Sequence, residues 1–312
     1  MNTQAYRPEG FYQGADGREN YYSQSTLEKA QATGKILEGR VTLCDSAFSL
    51  YVDLGSMKGK IPKSEAVYDP SGDEIKDIAV ITRVGKNVAF KVLSFDTENG
   101  EPIAILSRRE AQRDCLHNYL MTLIPGDVVD AKVTHLEPFG AFVDIGCGIV
   151  SLLSIDCISV SRISHPRDRF YTGMHIKAVI KSIDRETLRI YVSHKELLGT
   201  WEENVANFEV GQTIAGIVRS VESYGIFVEL APNLAGLAEY REGVTTGQRA
   251  AVYIKNIIPE KMKVKLVLVD AYSSDAPIDY RMEYFETKDH IDRFVYSPAV
   301  CDKLVATDFE IE

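Results

Sequence analysis

The sequence predicts an all-β chain with connecting helices, built from three small barrels in tandem. One strand-like segment recurs: Phe48-Ser49-Leu50-Tyr51-Val52-Asp53-Leu54, Phe139-Gly140-Ala141-Phe142-Val143-Asp144-Ile145 and Tyr224-Gly225-Ile226-Phe227-Val228-Glu229-Leu230. Its second aromatics stand 91 and 85 residues apart, the length of one small domain, so the chain reads as an array of similar units. Each unit also opens alike, with Gly34-Lys35-Ile36, Gly126-Asp127-Val128 and Gly211-Gln212-Thr213. Alternating, β-branched runs follow, such as Asp130-Ala131-Lys132-Val133-Thr134 and Lys177-Ala178-Val179-Ile180-Lys181. Short strands at regular spacing, broken by Gly, Pro and Asp, mark small antiparallel barrels.

With about five strands per unit, and Gly140 or Gly225 easing a bend in the second, a five-stranded Greek-key barrel of OB type fits the pattern. Residues 1–33 form an arm and a short helix, opened by the capping-box pattern Ser25-Thr26-Leu27-Glu28 and closed at Gly34. The first barrel spans 34–107, a linker helix 108–124, the second barrel 125–195, a linker helix 196–209 and the third barrel 210–271. In the first linker Leu116, Tyr119, Leu120 and Leu123 follow helical spacing; in the second Trp201, Val205 and Phe208 do, with Trp201 as a packing anchor. Residues 272–312 are an acidic tail rich in rings, including Tyr280, Tyr284, Phe285, Phe294 and Tyr296, expected to pack on the third barrel.

Composition narrows the functional classes. At 312 residues, 45% hydrophobic and 9% aromatic, the chain is globular, with no apolar run of membrane-spanning length. Its start lacks the basic and apolar regions of a secretory signal. The five cysteines (Cys44, Cys115, Cys147, Cys157 and Cys301) include no close pair, which argues for a reducing cytosol and against a disulfide framework or thiolate metal site. Net charge is −10, but residues 270–312 carry eleven acidic against four basic residues. Residues 126–199 balance nine Lys/Arg with nine Asp/Glu and add four of the six histidines, so the middle can present a basic face. His135, His175 and His194 have no second ligand at metal-binding spacing and read as surface or hydrogen-bonded groups. Gly146-Cys147-Gly148 lacks the third glycine and following helix of a dinucleotide loop, and no local motif suggests a catalytic triad.

Alternate strand residues share a face, so Phe142 lies with Asp144, Tyr51 with Asp53 and Phe227 with Glu229. A ring that shares its face with a carboxylate is expected to look at water, as a base-stacking platform must. Phe139 and Tyr224 admit a core reading as readily as a platform one.

These residues resemble the S-one RNA-binding domain, the repeat of small-subunit ribosomal protein S-one. The strand Phe139-Gly140-Ala141-Phe142-Val143-Asp144, the Gly126 start, His165-Pro166 before Gly173 and the closing Arg189-Ile190-Tyr191-Val192-Ser193 carry the likeness, which covers roughly residues 34–269. The stretch Lys195-Glu196-Leu197-Leu198-Gly199-Thr200-Trp201-Glu202-Glu203-Asn204, with Ala231-Pro232-Asn233-Leu234-Ala235-Gly236, looks like the compact S-one proteins of Gram-positive anaerobes. The resemblance implies non-catalytic binding of single-stranded RNA, chiefly mRNA, and association with the small ribosomal subunit in the cytoplasm. It implies no cofactor, no metal, no membrane partner and no small-molecule substrate. It carries RNA binding onto Phe139 with Phe142, Tyr224 with Phe227, Phe48 with Tyr51, and Asp184 with Arg189; Lys263 joins them in the third repeat. The family's histidine position is filled by Pro62, Leu152 and Glu239, so no repeat keeps the full set.

The segment before the fourth strand ranks the repeats. In the middle one it holds Arg162, His165, Arg167 and Arg169, which would attract phosphates; the alternative reading is a solvated loop. The first holds Asp69, Asp73, Glu74 and Asp77, and the third a short loop with Glu239 and Glu242, which would repel them. The middle repeat is therefore expected to be the main RNA face, and the first to dock a protein instead. Two rivals stand beside a ribosomal role: a free RNA-binding regulator of message stability or translation, and a ribonuclease with S-one appendages, for which the repeats leave no room.

Overall fold

The computed structural model describes residues 6–11, 21–70, 72, 74–274 and 282–309; Asp73, Tyr280 and most of the arm lie outside them. Three closed five-stranded barrels follow one another along the chain. The first comprises β1 (Leu37–Cys44), β2 (Leu50–Asp53), β3 (Lys58–Ile61), β4 (Asn87–Glu98) and β5 (Glu101–Ser107). The second comprises β6 (Val128–Glu137), β7 (Gly140–Asp144), β8 (Val150–Ser154), β9 (His175–Asp184) and β10 (Arg189–Ser193), and the third β11 (Thr213–Glu222), β12 (Gly225–Ala231), β13 (Leu234–Ala238), β14 (Arg249–Ile258) and β15 (Lys263–Tyr272). In each, the first three strands meander, the third pairs in parallel with the fifth, and the fourth closes on the first.

Period two governs each strand: Ala141, Val143 and Ile145 are buried in the second core, while Phe142 between them stays half-buried on the outer face. Gly140 and Gly225 open the second strands because the neighbouring strand comes too close for a side chain. A Cβ at Gly140 would sit 2.5 Å from the Leu153 carbonyl oxygen, and one at Gly225 2.6 Å from that of Ala238.

Helix α1 (Gln24–Thr33) ends at Gly34, whose left-handed backbone returns its N–H to the last turn, but it begins earlier than the Ser25 pattern implies. Ser23, in extended conformation, is the cap, and its Oγ accepts from the Thr26 N–H. Helix α2 (Asp77–Ile81) lies between β3 and β4. Helix α3 (Arg108–Asn118) starts at once after β5, capped by Ser107, and stops before Tyr119; Leu120 belongs to a separate 3₁₀ turn. Helix α4 (Trp201–Val205) is a single short turn capped by a Thr200–Glu203 box and leaves Phe208 outside, with Trp201 fully buried. Among the described residues no helix is long and apolar enough to cross a membrane.

Asp53 in the first barrel is exposed, but the other two repeated carboxylates do not face water. Asp144 and Glu229 are each 2% exposed, because the outer face of the strand end is covered by the preceding unit. At the first joint the Asp144 carboxylate accepts backbone N–H groups of Glu9, Gly146 and Gly148. Beside it the buried Arg108 makes a forked pair with Glu9, at 2.6 and 3.1 Å. Gly148, at φ +78°, is required there: a Cβ would lie 2.0 Å from the Arg108 guanidinium. At the second joint Glu229 takes Arg169 of the second barrel (2.5 Å) and Arg219 of its own (2.9 Å), and Arg219 reaches back to Asp168 (3.1 Å). Asn233, fully buried, accepts from the Val160 N–H and donates to the carbonyls of Lys195 and Gly199.

The tail packs more widely than on the third barrel alone. Strands β16 (Arg293–Val295) and β17 (Ala306–Asp308) pair, while Phe294, Tyr296 and Phe309 join Trp201 and the third-barrel core. The Tyr296 hydroxyl donates to the Asn233 carbonyl at 2.5 Å. On the second barrel, the Val128 N–H donates to the Asp289 carbonyl and the Lys177 N–H to the Tyr284 hydroxyl. Tyr284 also bonds the buried His194, whose ring burial pulls down to a pKa of about 4. The tail thus straddles the second joint.

Glu38, at the first joint, gives a pH signature. Burial pushes its carboxyl up to about 7 from 4.5. Oε1 accepts from the Gly10 N–H, but among the described residues nothing bonds Oε2. A raised folded-state pKa contributes stability that is complete below about 4.5 and is lost as pH rises through about 7. Glu38→Gln stays neutral throughout. At pH 8 it is expected to match or exceed the parent by up to roughly 3 kcal/mol, with little difference at pH 4. Urea melts across that range check this; parallel curves for the two proteins would refute it.

Candidate nucleic-acid interface

Phe139 and Tyr224 are not strand residues at all. In the hairpins Glu137↔Gly140 and Glu222↔Gly225, each is the second residue of a two-residue loop, and they are 55% and 68% exposed. That settles the open choice between core and platform toward the surface. Phe142 and Phe227 follow half-buried, packed edge-to-face against them: centroids 6.0 Å apart at 88° in the second barrel, and 6.2 Å at 87° in the third. The same two-ring corner is built twice, with one ring free and the other braced by the sheet.

Strand register extends each corner into a row across the barrel. In the second, His135, Phe142, Leu152, Tyr191 and Ser182 are successive cross-strand partners, none of them buried. His135 stacks beside Phe142 (6.4 Å, 27°), and its Nε2 lies 2.7 Å from Glu137. In the third barrel the row is Ser220, Phe227, Leu237, Lys265 and Asn256. The register sets Lys60, Leu152 and Leu237 across from Tyr51, Phe142 and Phe227. His135 and Tyr191 were missed by sequence reasoning. Counting outward from the Pro138-Phe139 loop places His135 opposite Phe142, but Tyr191 arrives through a parallel pairing that adjacency in sequence does not reveal.

The first barrel has occupied its own rings. Lys63 Nζ lies 5.1 Å from the Phe48 ring centre and 2.6 Å from Asp77; Lys60 Nζ lies 5.5 Å from that of Tyr51 and 2.5 Å from Glu98. The Tyr51 hydroxyl is shared between Asp45 and Glu98, and the groove beside it is lined by Asp53, Glu98 and Glu101. A base would have to displace a bound lysine and then sit among carboxylates.

The cationic loop of the second barrel divides. Arg162 and Arg167 are exposed; Arg167 folds onto its neighbour, donating from its backbone N–H and Nε to His165 Nδ1, which thereby caps the 3₁₀ turn at Pro166–Asp168. Arg169 does not belong with them: its side chain is fully buried against Glu229, so it joins barrels instead of meeting phosphate. The loop reaches the third barrel through the Val160 N–H and the Arg169 side chain. Asp184 closes the β9–β10 turn, accepting from the Thr187 hydroxyl and the N–H groups of Thr187 and Glu186, which hold its carboxyl below the usual range. Arg189 pairs with it across the hairpin and shares the outer face of β10 with Tyr191. Lys263 and Lys265 share that face of β15. Among the described residues no three His, Cys, Asp or Glu side chains gather as a metal would need.

Closed five-stranded barrels that repeat an exposed ring pair define a tandem array of oligonucleotide-binding type. The sequence model of the S1 RNA binding domain matches residues 30–109 and 122–195, and the chain belongs to that family. It is 34% identical over 263 residues to small ribosomal subunit protein bS1 of Staphylococcus aureus strain COL, an alignment covering 78% of this chain and 64% of that protein. It is 28% identical over 292 residues to the bS1 homolog of Bacillus subtilis strain 168, covering 91% and 72% respectively. The chain thus spans about two thirds of the length of these relatives. The third barrel, outside the two matched segments, has the same strand order and the same ring corner.

Proposed function

We propose that this chain holds unstructured mRNA on the ring corners of its second and third barrels and brings it to the small ribosomal subunit in the cytoplasm, without catalysis. The supporting observation is the corner itself: an exposed ring set edge-to-face on a braced one, at nearly the same distance and angle in two barrels. Stacking on such rings contributes about 1–3 kcal/mol per base and accepts any base, as a carrier of varied messages requires. One barrel binds weakly; linked barrels gain by effective concentration. The second barrel leads because His135 and Tyr191 widen its aromatic row and Arg189 adds a cation, whereas the first keeps its rings under Lys60 and Lys63 and serves protein docking. The working divisions are 34–107, 125–195 and 210–271, with Arg162 and Arg167 meeting strand that passes toward the third barrel.

Photo-crosslinking an oligouridylate to the full chain tests this. Adducts are expected at Phe139, Phe142, Tyr191 and Tyr224, and a predominance at the first barrel would overturn the assignment. Cosedimentation with small subunits separates the ribosomal reading from a free regulator: absence from those fractions favours the regulator.

A further inference from the structure

The first joint contains a cleft of about 590 Å³ whose walls carry Arg40, Arg83 and Lys86 of the first barrel and Lys132 of the second, with His135 also lining it. Its acidic floor is already neutralised. Glu9 is held by the buried Arg108 and the Ala89 N–H, and Asp144 is surrounded by three backbone N–H groups. Two of the wall cations, Arg40 and Lys86, are not. Among the described residues Arg40 and Lys86 have no ion-pair partner and Lys132 Nζ donates to the Glu9 carbonyl, whereas Arg83 makes a long ion pair with Glu9 at 3.9 Å. Burial and the neighbouring Arg83 together lower the Lys86 pKa, with Glu9 opposing them only in part. Unpaired cations that line one cleft, as Arg40 and Lys86 do, favour the entry of an anion. His135 links this cleft to the ring corner, since it lines the cleft and stacks on Phe142.

We infer that the cleft between the first and second barrels is a phosphate track, taking the sugar–phosphate backbone of single-stranded RNA that leaves the ring corner past His135. The inference rests on the RNA-binding reading of that corner. The first barrel then contributes to RNA binding through its joint face, on the side of Arg40 and Lys86, and not through Phe48 and Tyr51. Inorganic phosphate or a mononucleotide shares the relevant chemistry, and the test separates these sources.

Fluorescence anisotropy on the full chain compares oligouridylates of about 4 and about 12 nucleotides, lengths bracketing one barrel's site. The variants are R40Q/K86Q, both exposed positions, and F142A. The double variant is expected to lose on the order of tenfold affinity for the longer strand at low salt. Its log–log salt slope should become shallower by about 1.4, or about 0.7 per phosphate contact, while binding of the shorter strand stays unchanged. F142A should weaken both. Unchanged long-strand affinity and slope in R40Q/K86Q, with F142A impaired, would overturn the track and leave the corner standing. No binding of either strand by the parent would remove the corner, and the track with it. Uridine monophosphate or inorganic phosphate shifting cleft resonances, with long-strand binding unaffected by the double variant, would make this a small-anion site and also overturn the inference.

Discussion

Glu229→Ala is expected to destabilise the third barrel by about 3–5 kcal/mol. Glu229 is the shared partner of Arg169, whose side chain is fully buried, and of Arg219, which is nearly so. Without it two buried guanidinium groups lose the carboxylate they share, although Asp168 stays beside Arg219. For a domain of this size such a loss lowers the melting temperature by more than about 10 °C. The transition should also split, because the second and third barrels no longer unfold together. Calorimetry reads both. Glu229→Gln keeps an acceptor and should cost less. A melt of Glu229→Ala superimposable on the parent's would show that the network contributes nothing to the joint.

Phe142→Ala is expected to weaken single-stranded RNA binding on the order of tenfold, with the fold intact, since the ring is half-buried on an outer face. Its removal takes away the support of Phe139 and the partner of His135 together. Phe227→Ala removes the corresponding support of Tyr224 and should cost less, because its row offers Ser220 and Lys265 where the second barrel has His135 and Tyr191. Tyr51→Ala should cost least, since Lys60, Asp45 and Glu98 already engage that side chain. Anisotropy titrations with thermal melts of each variant settle the order. Equal losses in all three, or losses that track unfolding, would refute it.

Much of the fold is legible along the chain. The three barrels, the second-strand glycines, the Gly34 stop and the buried Trp201 all follow from period-two patterning and local backbone demands. Errors cluster where a residue's surroundings come from elsewhere. The rule that a carboxylate marks a wet face misplaced Asp144 and Glu229, since the covering Glu9 lies 135 residues away and Arg169 lies 60 away. Arg169 looked like a phosphate ligand among its neighbours for the same reason. Phe139 and Tyr224 were ambiguous because a two-residue hairpin loop inside an apolar run has the same period as the strand it interrupts.

What patterning along the chain settles is the number of barrels and the segment that bears the rings, because these depend on residues within a few positions of one another. The availability of each charge is a different matter. Lys60 and Lys63 are spent on rings, Arg169 and Arg219 on a joint, and Arg40 and Lys86 remain open in a cleft. A side chain's electrostatic freedom depends on partners that meet only when the barrels close and dock, and no spacing in the sequence encodes those distances.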